Sequence, residues 1–334
     1  MTKSRTSGAG DRSPASAVPI TRVGIVGAGP MGRLHARTIS QVAASDGNCV
    51  LCRVVDHHPG RAEAAAEQFH CRASTDLATL VPEVDAVVVC VPTVDHGSVT
   101  ELMLECDRDV LVEKPLAATV AEGQYLADLA CNRGRILQVG HLEWYNQAWR
   151  DAIDVAGQPS SIEVERLNPV SDRGLDIDVV QDFMLHDLDW VTRLLRDEIV
   201  DLTARGSCVV HDQLDEAEVE LRFRSGCRVK LRASRVAGER RRIVRVSGSK
   251  GSATGDLLTR RLMGASEASE SGLDPLVRQW RAFLESVRHR TSPEADGAVG
   301  VAALTIVERI RKAIELESKH ARSSSREDGS ALGG

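Results

Sequence analysis

The feature that most constrains the fold is the stretch Val23 to Ser40, VGIVGAGPMGRLHARTIS. Residues 23–26 form a short apolar run, read as a buried strand. Gly27, Gly29 and Gly32 then supply a G-x-G-x-x-G spacing, and a helical stretch follows with Met31, Leu34, Ala36 and Ile39 available for its inner side. Each glycine has its own use: Gly27 makes the tight turn, Gly29 lets the backbone approach a pyrophosphate, and Gly32 lets helix and strand pack closely. The helix N-terminus offers free N–H groups and a positive dipole end to the phosphates. A bare glycine triplet is weak evidence, but this one lies between strand and helix, as the mechanism requires. A second apolar strand, 50–55, ends in Asp56. That is close to the roughly 20-residue distance expected of an acid that binds ribose hydroxyls.

The chain continues in strand–helix alternation. A helix is expected at 61–69, a short strand and turn region at 73–80, and a continuous apolar strand at 85–91 (DAVVVCV). Val91 ends that strand and Pro92, Thr93 and His96 follow it, at the sheet end where open α/β folds bind ligands. His96 either lies beside a cofactor or caps the helix expected at 97–106. Strand 109–112 leads into Glu113-Lys114-Pro115; helix 120–132 and strand 135–139 complete a doubly wound parallel sheet. At 334 residues the chain exceeds the roughly 250–300 at which single cores usually split, so two domains are expected. The boundaries read as a tail at 1–20, a first domain at 21–141, a second at 142–321 and a tail at 322–334.

The second domain begins with an alternating strand at 161–167 and an irregular polar stretch at 168–178. A helix is expected at 179–195, where Val180, Met184, Leu188, Val191 and Leu195 form one apolar stripe. Asp182 and His186, four apart, share a face nearly opposite that stripe, so His186 is not an ordinary core histidine. Downstream, 217–223 and 228–234 alternate cleanly around a bend at Ser225-Gly226, with further strands at 243–247 and from Gly251. Helices at 276–288 and 299–316 close the domain. The expected class is therefore α/β: an N-terminal Rossmann sheet plus a C-terminal α+β domain with an open, mostly antiparallel sheet.

Composition narrows the partners. A net charge of −6 argues against nucleic acid, and no apolar run approaches the roughly 20 residues of a membrane span. Cys49 and Cys52 form a C-x-x-C, but an odd separation within one strand points them to opposite faces. No metal site is expected, and the eight cysteines read as reduced thiols of a cytoplasmic protein. The run Arg240 to Arg242 could suit a phosphate, but it reads rather as a charged outer strand face.

The glycine loop, Asp56 and above all Glu113-Lys114-Pro115 together resemble the glucose–fructose oxidoreductase and inositol dehydrogenase (Gfo/Idh/MocA) family, over about residues 21–316. That resemblance implies a lysine, Lys114, that reaches nicotinamide and substrate hydroxyl. It makes Asp182-x-x-x-His186 the catalytic pair, with His186 as acid–base residue and Asp182 orienting it and raising its basicity. The implied cofactor is NAD, with NADP possible: Asp56 disfavours a 2′-phosphate, while His57 and His58 weaken that preference. The cofactor site takes in Gly27, Gly29, Pro30, Met31, Gly32, Asp56, Val91, Thr93, His96, Glu113 and Lys114. The segment VGHLEWYNQA (139–148) and the series Arg166, Pro169, Arg173 before the helix are similar to the UDP-N-acetylglucosamine 3-dehydrogenase branch. That branch makes a 3-keto nucleotide sugar for an aminotransferase, as in lipid A biosynthesis. The similarity implies substrate contacts from Glu143, Tyr145 and Asn146, with Arg166 and Arg173 on the diphosphate. Trp144, Tyr145 and Gln147 depart from the branch pattern. The rival readings are a free-sugar or inositol dehydrogenase and an NAD-binding regulator on the same fold. A homo-oligomer is implied by the resemblance.

Overall fold

The computed structural model describes residues 19–171, 177–264 and 274–330, with the side chains of the last helix described as far as residue 320. Residues 1–18 and 331–334 of the two expected tails lie outside the described residues, as does Arg173.

The first unit runs β1 (Thr21–Val26), α1 (Pro30–Asp46), β2 (Cys49–Val55), α2 (Pro59–Phe69), β3 (Arg72–Ser74), β4 (Ala86–Val89), α3 (Thr93–Glu105), β5 (Asp109–Glu113), α4 (Val120–Asn132) and β6 (Leu137–Gly140). Its strands are parallel, in the order β3-β2-β1-β4-β5-β6. This is the doubly wound order, whose direction reverses between β1 and β4. β4 and β5 are buried throughout, which is why both read as unbroken apolar runs rather than alternations.

The second unit holds α5 (Gln147–Ala156), β7 (Pro159–Leu167), α6 (Leu185–Leu195), β8 (Ile199–Ser207), β9 (Glu216–Phe223), β10 (Arg228–Ser234), β11 (Arg241–Gly248), β12 (Gly251–Asp256) and β13 (Arg261–Leu262). They form a sheet in the order β13-β12-β11-β7-β10-β9-β8. The β7–β10 pair is parallel and the other pairs are antiparallel. Val219, Leu221, Phe223, Val229 and Leu231 point inward; Glu218, Glu220, Arg222, Lys230 and Arg232 point out. The strand period alone dictates that split.

Two late helices tie the units together. α7 (Pro275–His289) lies against α1 and sends Trp280, Phe283 and Leu284 into the core behind β1. It thus covers the first sheet, although its sequence position assigns it to the second domain. α8 (Gly297–Ser330) packs on α4, β8 and α6. It continues to Ser330, past residue 321 where the ordered chain is expected to end.

Candidate active site

The nucleotide end is built by the turn after β1. Gly27 has φ +97°, and a Cβ there would meet the Cys90 carbonyl oxygen at 2.5 Å. A Cβ on Gly32 would stand 1.8 Å from the Gly27 carbonyl oxygen, so this glycine sets how closely α1 can approach. Gly29 has no heavy atom within 4 Å of a Cβ position: it faces open space, the cradle a pyrophosphate needs. Asp56, at the end of β2, accepts from the Ala28 N–H at 2.7 Å and the His58 N–H at 2.8 Å. A carboxylate has about four acceptor positions, so two remain for ribose hydroxyls. Gly27, Gly29, Pro30, Met31, Asp56 and Val91 line one cleft of about 770 Å³. His57 and Arg61 line it too, and Arg61 is a cation that sequence reasoning passed over.

Other expected cofactor residues sit elsewhere. His96 is buried, its ring nitrogens 2.6 Å from the Pro115 carbonyl and 3.0 Å from the Val91 carbonyl. It sits between two loops instead of facing the cleft or capping α3, because both nitrogens point at carbonyl oxygens of those loops, to one of which the neutral ring can donate. Thr93 lines a different cavity. Glu113 accepts from His35 Nε2 at 2.8 Å, and His35 Nδ1 accepts from the Trp280 indole N–H at 2.9 Å. An indole can only donate, which fixes the proton of His35 on Nε2. Burial pushes Glu113 up, but the His35 bond and the charge of Lys114 outweigh it and leave the carboxyl below its ordinary value.

The chemical end begins one residue later. Lys114 precedes a cis bond to Pro115. Its ammonium donates to the Asp182 carboxylate at 2.7 Å and to the Asp182 carbonyl at 2.8 Å. This corrects the expected partnership: Asp182 holds Lys114, and His186 makes no hydrogen bond with it among the described residues. The cause is local. Residues Val180–Met184 form a π-turn ahead of α6. The extra residue in that turn rotates Asp182 away from the α-helical i,i+4 alignment with His186. His186 is half-buried, and its Nδ1 has no partner among the described residues. Its pKa lies well below the ordinary histidine value, from burial first and then from the cations Lys114, Arg166 and Arg242.

Arg166, expected on a diphosphate, is wholly buried. Its fork donates to both Asp187 oxygens at 2.7 and 2.8 Å, and its remaining nitrogen reaches Glu143 at 3.4 Å. Strand alternation turns it inward, where a guanidinium must be paired. Asn146 caps α5 through the Ala148 N–H and donates to Glu143 and to the Leu257 carbonyl. Glu143 and Asn146 therefore serve the walls of the site. Tyr145 keeps a buried hydroxyl without a partner among the described residues, and burial raises its pKa. Trp144, the departure from the branch pattern, is stacked under Arg193 at 3.7 Å and Arg150 at 4.7 Å.

The arginine run also divides. Arg241 is exposed, whereas Arg242 turns inward, 3.9 Å from Glu143. Burial and the neighbouring Arg166 push its pKa down to about 10. The outer-face reading holds for Arg241 and fails for Arg242, because adjacent residues of a strand take opposite faces.

A strand–glycine–helix cradle on one unit and a lysine clamped by the helix of the other define a nucleotide-dependent oxidoreductase. Comparison with known proteins agrees. The family described as "Oxidoreductase family, NAD-binding Rossmann fold" matches residues 21–141, and "GFO/IDH/MocA C-terminal domain" matches residues 155–254. UDP-N-acetylglucosamine 3-dehydrogenase of Acidithiobacillus ferrooxidans is 31% identical over 88% of this chain and 97% of its own. Its solved structure superposes with a TM-score of 0.80, covering 89% of this chain and 98% of that one. Inositol 2-dehydrogenase of Rhizobium meliloti is 28% identical over 69% of this chain and 74% of its own. GenD2 from gentamicin A biosynthesis, solved with NAD, shares the fold at 22% identity and a TM-score of 0.78, covering 91% of this chain and 96% of that one.

The chain belongs to the Gfo/Idh/MocA oxidoreductase family. It is an NAD-dependent dehydrogenase of the sugar and inositol type.

Proposed function

We propose that the protein oxidises the 3-hydroxyl of UDP-N-acetylglucosamine to a 3-keto nucleotide sugar. The observation that carries the chemistry is the Lys114–Asp182 contact beside His186. Gly27, Gly29, Asp56 and Val91 would hold the cofactor. When bound, NAD supplies a nicotinamide ring able to take a hydride. The chain's residues handle the proton. Two of the three ammonium donors of Lys114 go to Asp182, which leaves one for the substrate hydroxyl oxygen. A cation there stabilises the alkoxide that develops as hydride leaves carbon. His186, neutral at pH 7 because of its depressed pKa, takes the hydroxyl proton. Asp182 acts by fixing Lys114.

The nucleotide sugar is supported by the near full-length likeness to the Acidithiobacillus enzyme. It is also supported by Arg242, an under-neutralised cation beside Glu143 suited to a diphosphate. The same reading places the chain in the cytoplasm, with a product for an aminotransferase of lipid A assembly, and no described helix is long and apolar enough to cross a membrane. It also makes the chain a homo-oligomer through the charged outer face of the second sheet, which sedimentation would test. For the activity, the enzyme is incubated with NAD and, separately, UDP-N-acetylglucosamine, glucose and myo-inositol. NADH absorbance should rise with the first, and mass spectrometry should find a product two hydrogens lighter. Turnover of inositol or glucose alone would replace this substrate with the family's other one.

A further inference from the structure

A second cavity of about 770 Å³ lies beside the catalytic helix. Thr93, from the turn whose preceding residues line the cofactor cleft, forms one wall; Gln181, Gln213, Arg311 and Lys319 form others. Gln181 immediately precedes Asp182 and is 3% exposed. Its side-chain oxygen accepts from Arg311 at 2.7 Å. Arginine has no acceptor, so the orientation of this amide is fixed and Nε2 is the end left over. That nitrogen is buried with no hydrogen-bond partner among the described residues. Gln213, which lines the same cavity, has a buried Oε1 with no partner among the described residues.

Gln181 is held in place, and the loop that carries Gln213 is anchored through its backbone. The Asp178 carboxylate caps the Gln181 N–H at 3.0 Å and pairs with Arg311 at 2.6 Å. The Leu214 carbonyl accepts from the Val179 N–H at 3.0 Å, joining the Gln213 loop to the start of the catalytic segment. That loop is in turn pinned by Asp215, which accepts the N–H groups of Val209, Val210 and His211. A fixed donor end from Gln181 and a second buried amide end from Gln213 on one cavity suit a ligand that completes both, because buried polar groups are generally satisfied.

We propose that this cavity is the subsite for a secondary amide or imide edge of the substrate: Gln181 Nε2 donates to its carbonyl and Gln213 Oε1 accepts its N–H. The inference rests on the nucleotide-sugar reading, in which two groups carry such an edge, the acetamido group of the sugar and the imide of uracil.

The test is calorimetric titration of NADH-loaded enzyme with UDP-N-acetylglucosamine, UDP-glucose and N-acetylglucosamine 1-phosphate. Gln181→Glu keeps the acceptor for Arg311 and replaces the N–H donor with an oxygen; Gln181→Met removes both, and thermal melts check that each variant folds. Loss of one buried hydrogen bond predicts about tenfold weaker binding. If the acetamido group is held, the two N-acetylated ligands weaken and UDP-glucose does not. If the imide is held, the two uridine ligands weaken and the sugar phosphate does not. Unchanged binding of all three ligands by both variants, or an equal loss for all three, overturns the subsite. In either case wild-type turnover of UDP-N-acetylglucosamine would leave the proposed function standing. A wild-type enzyme that binds no uridine ligand sinks the nucleotide-sugar reading itself, and the subsite with it.

Discussion

Two ion pairs stand five residues apart along one helical segment, and they differ in what they leave over. Arg166 and Asp187 meet as a bidentate pair with side chains 1% and 3% exposed, and Glu143 takes the remaining nitrogen. Lys114 and Asp182 meet at the same 2.7 Å, yet their side chains are 14% and 21% exposed. The first pair is closed: its geometry satisfies both partners and offers a substrate nothing. The second is open: the ammonium keeps a donor, and the half-buried imidazole of His186 stands nearby. Proximity to a site does not make a charged pair reactive; unused valence at an accessible edge does.

Substitutions can break this contrast. Lys114→Ala and His186→Ala should each lower turnover by about 10²–10⁴ while NADH binding, followed by fluorescence, stays near wild type. Full activity in either would falsify the assignment of the open pair. Arg166→Met should act on the other axis. It strands Asp187 in the interior and should cost about 3–5 kcal/mol of stability in urea titration. A mutant as stable as wild type but unable to bind nucleotide sugar would show that Arg166 is not the closed half.

Removing the inward cation is a smaller perturbation. Arg242→Leu should raise the KM for a nucleotide sugar about tenfold, leave that for NAD unchanged, and not lower the melting temperature. An unchanged KM would remove Arg242 from the diphosphate. The finest test is pH. The base form of His186 persists below the ordinary histidine value because its pKa is depressed. In the oxidation direction kcat/KM should therefore stay level as pH falls through about 6.5 and decline only beneath it. Lys114→Met, measured on its residual activity, removes one of the cations responsible and should move that decline upward. The same shift has a stability sign. His141 and His186 are both held neutral by burial. An unfolded chain binds more protons than the native one once pH drops below about 6.5, so acid should lower stability from there downward.

How much of this the sequence carried depended on whether the signal was local. The strand–glycine–helix turn and Lys114 were legible, because each is a contiguous motif with one mechanical use. Helix α5 went unread, because the substrate signature covers only its first two residues, although Asn146 is a good cap and Trp149, Ala152 and Ala156 face inward. Strand β8 gave little pattern: among its residues only Ala204 is buried, since the strand is an edge covered by α8. The π-turn was invisible to periodicity, because Val180, Met184 and Leu188 repeat every four residues and fit a helix regardless. The inward turn of Arg242 needed the register of β11 against β7, which composition does not contain.

The contact between Trp280 and His35 has a consequence for how the molecule could be divided. A chain cut after β6 would keep every residue lining the dinucleotide cleft but lose the indole that fixes the imidazole, and with it the lid over Ile25, Ile39 and Val42. Such a fragment would offer bare hydrocarbon to water on the rear of its sheet. The nucleotide half is therefore not a transplantable module: its last structural component is translated near the end of the polypeptide, so it can mature only after the sugar half has been made.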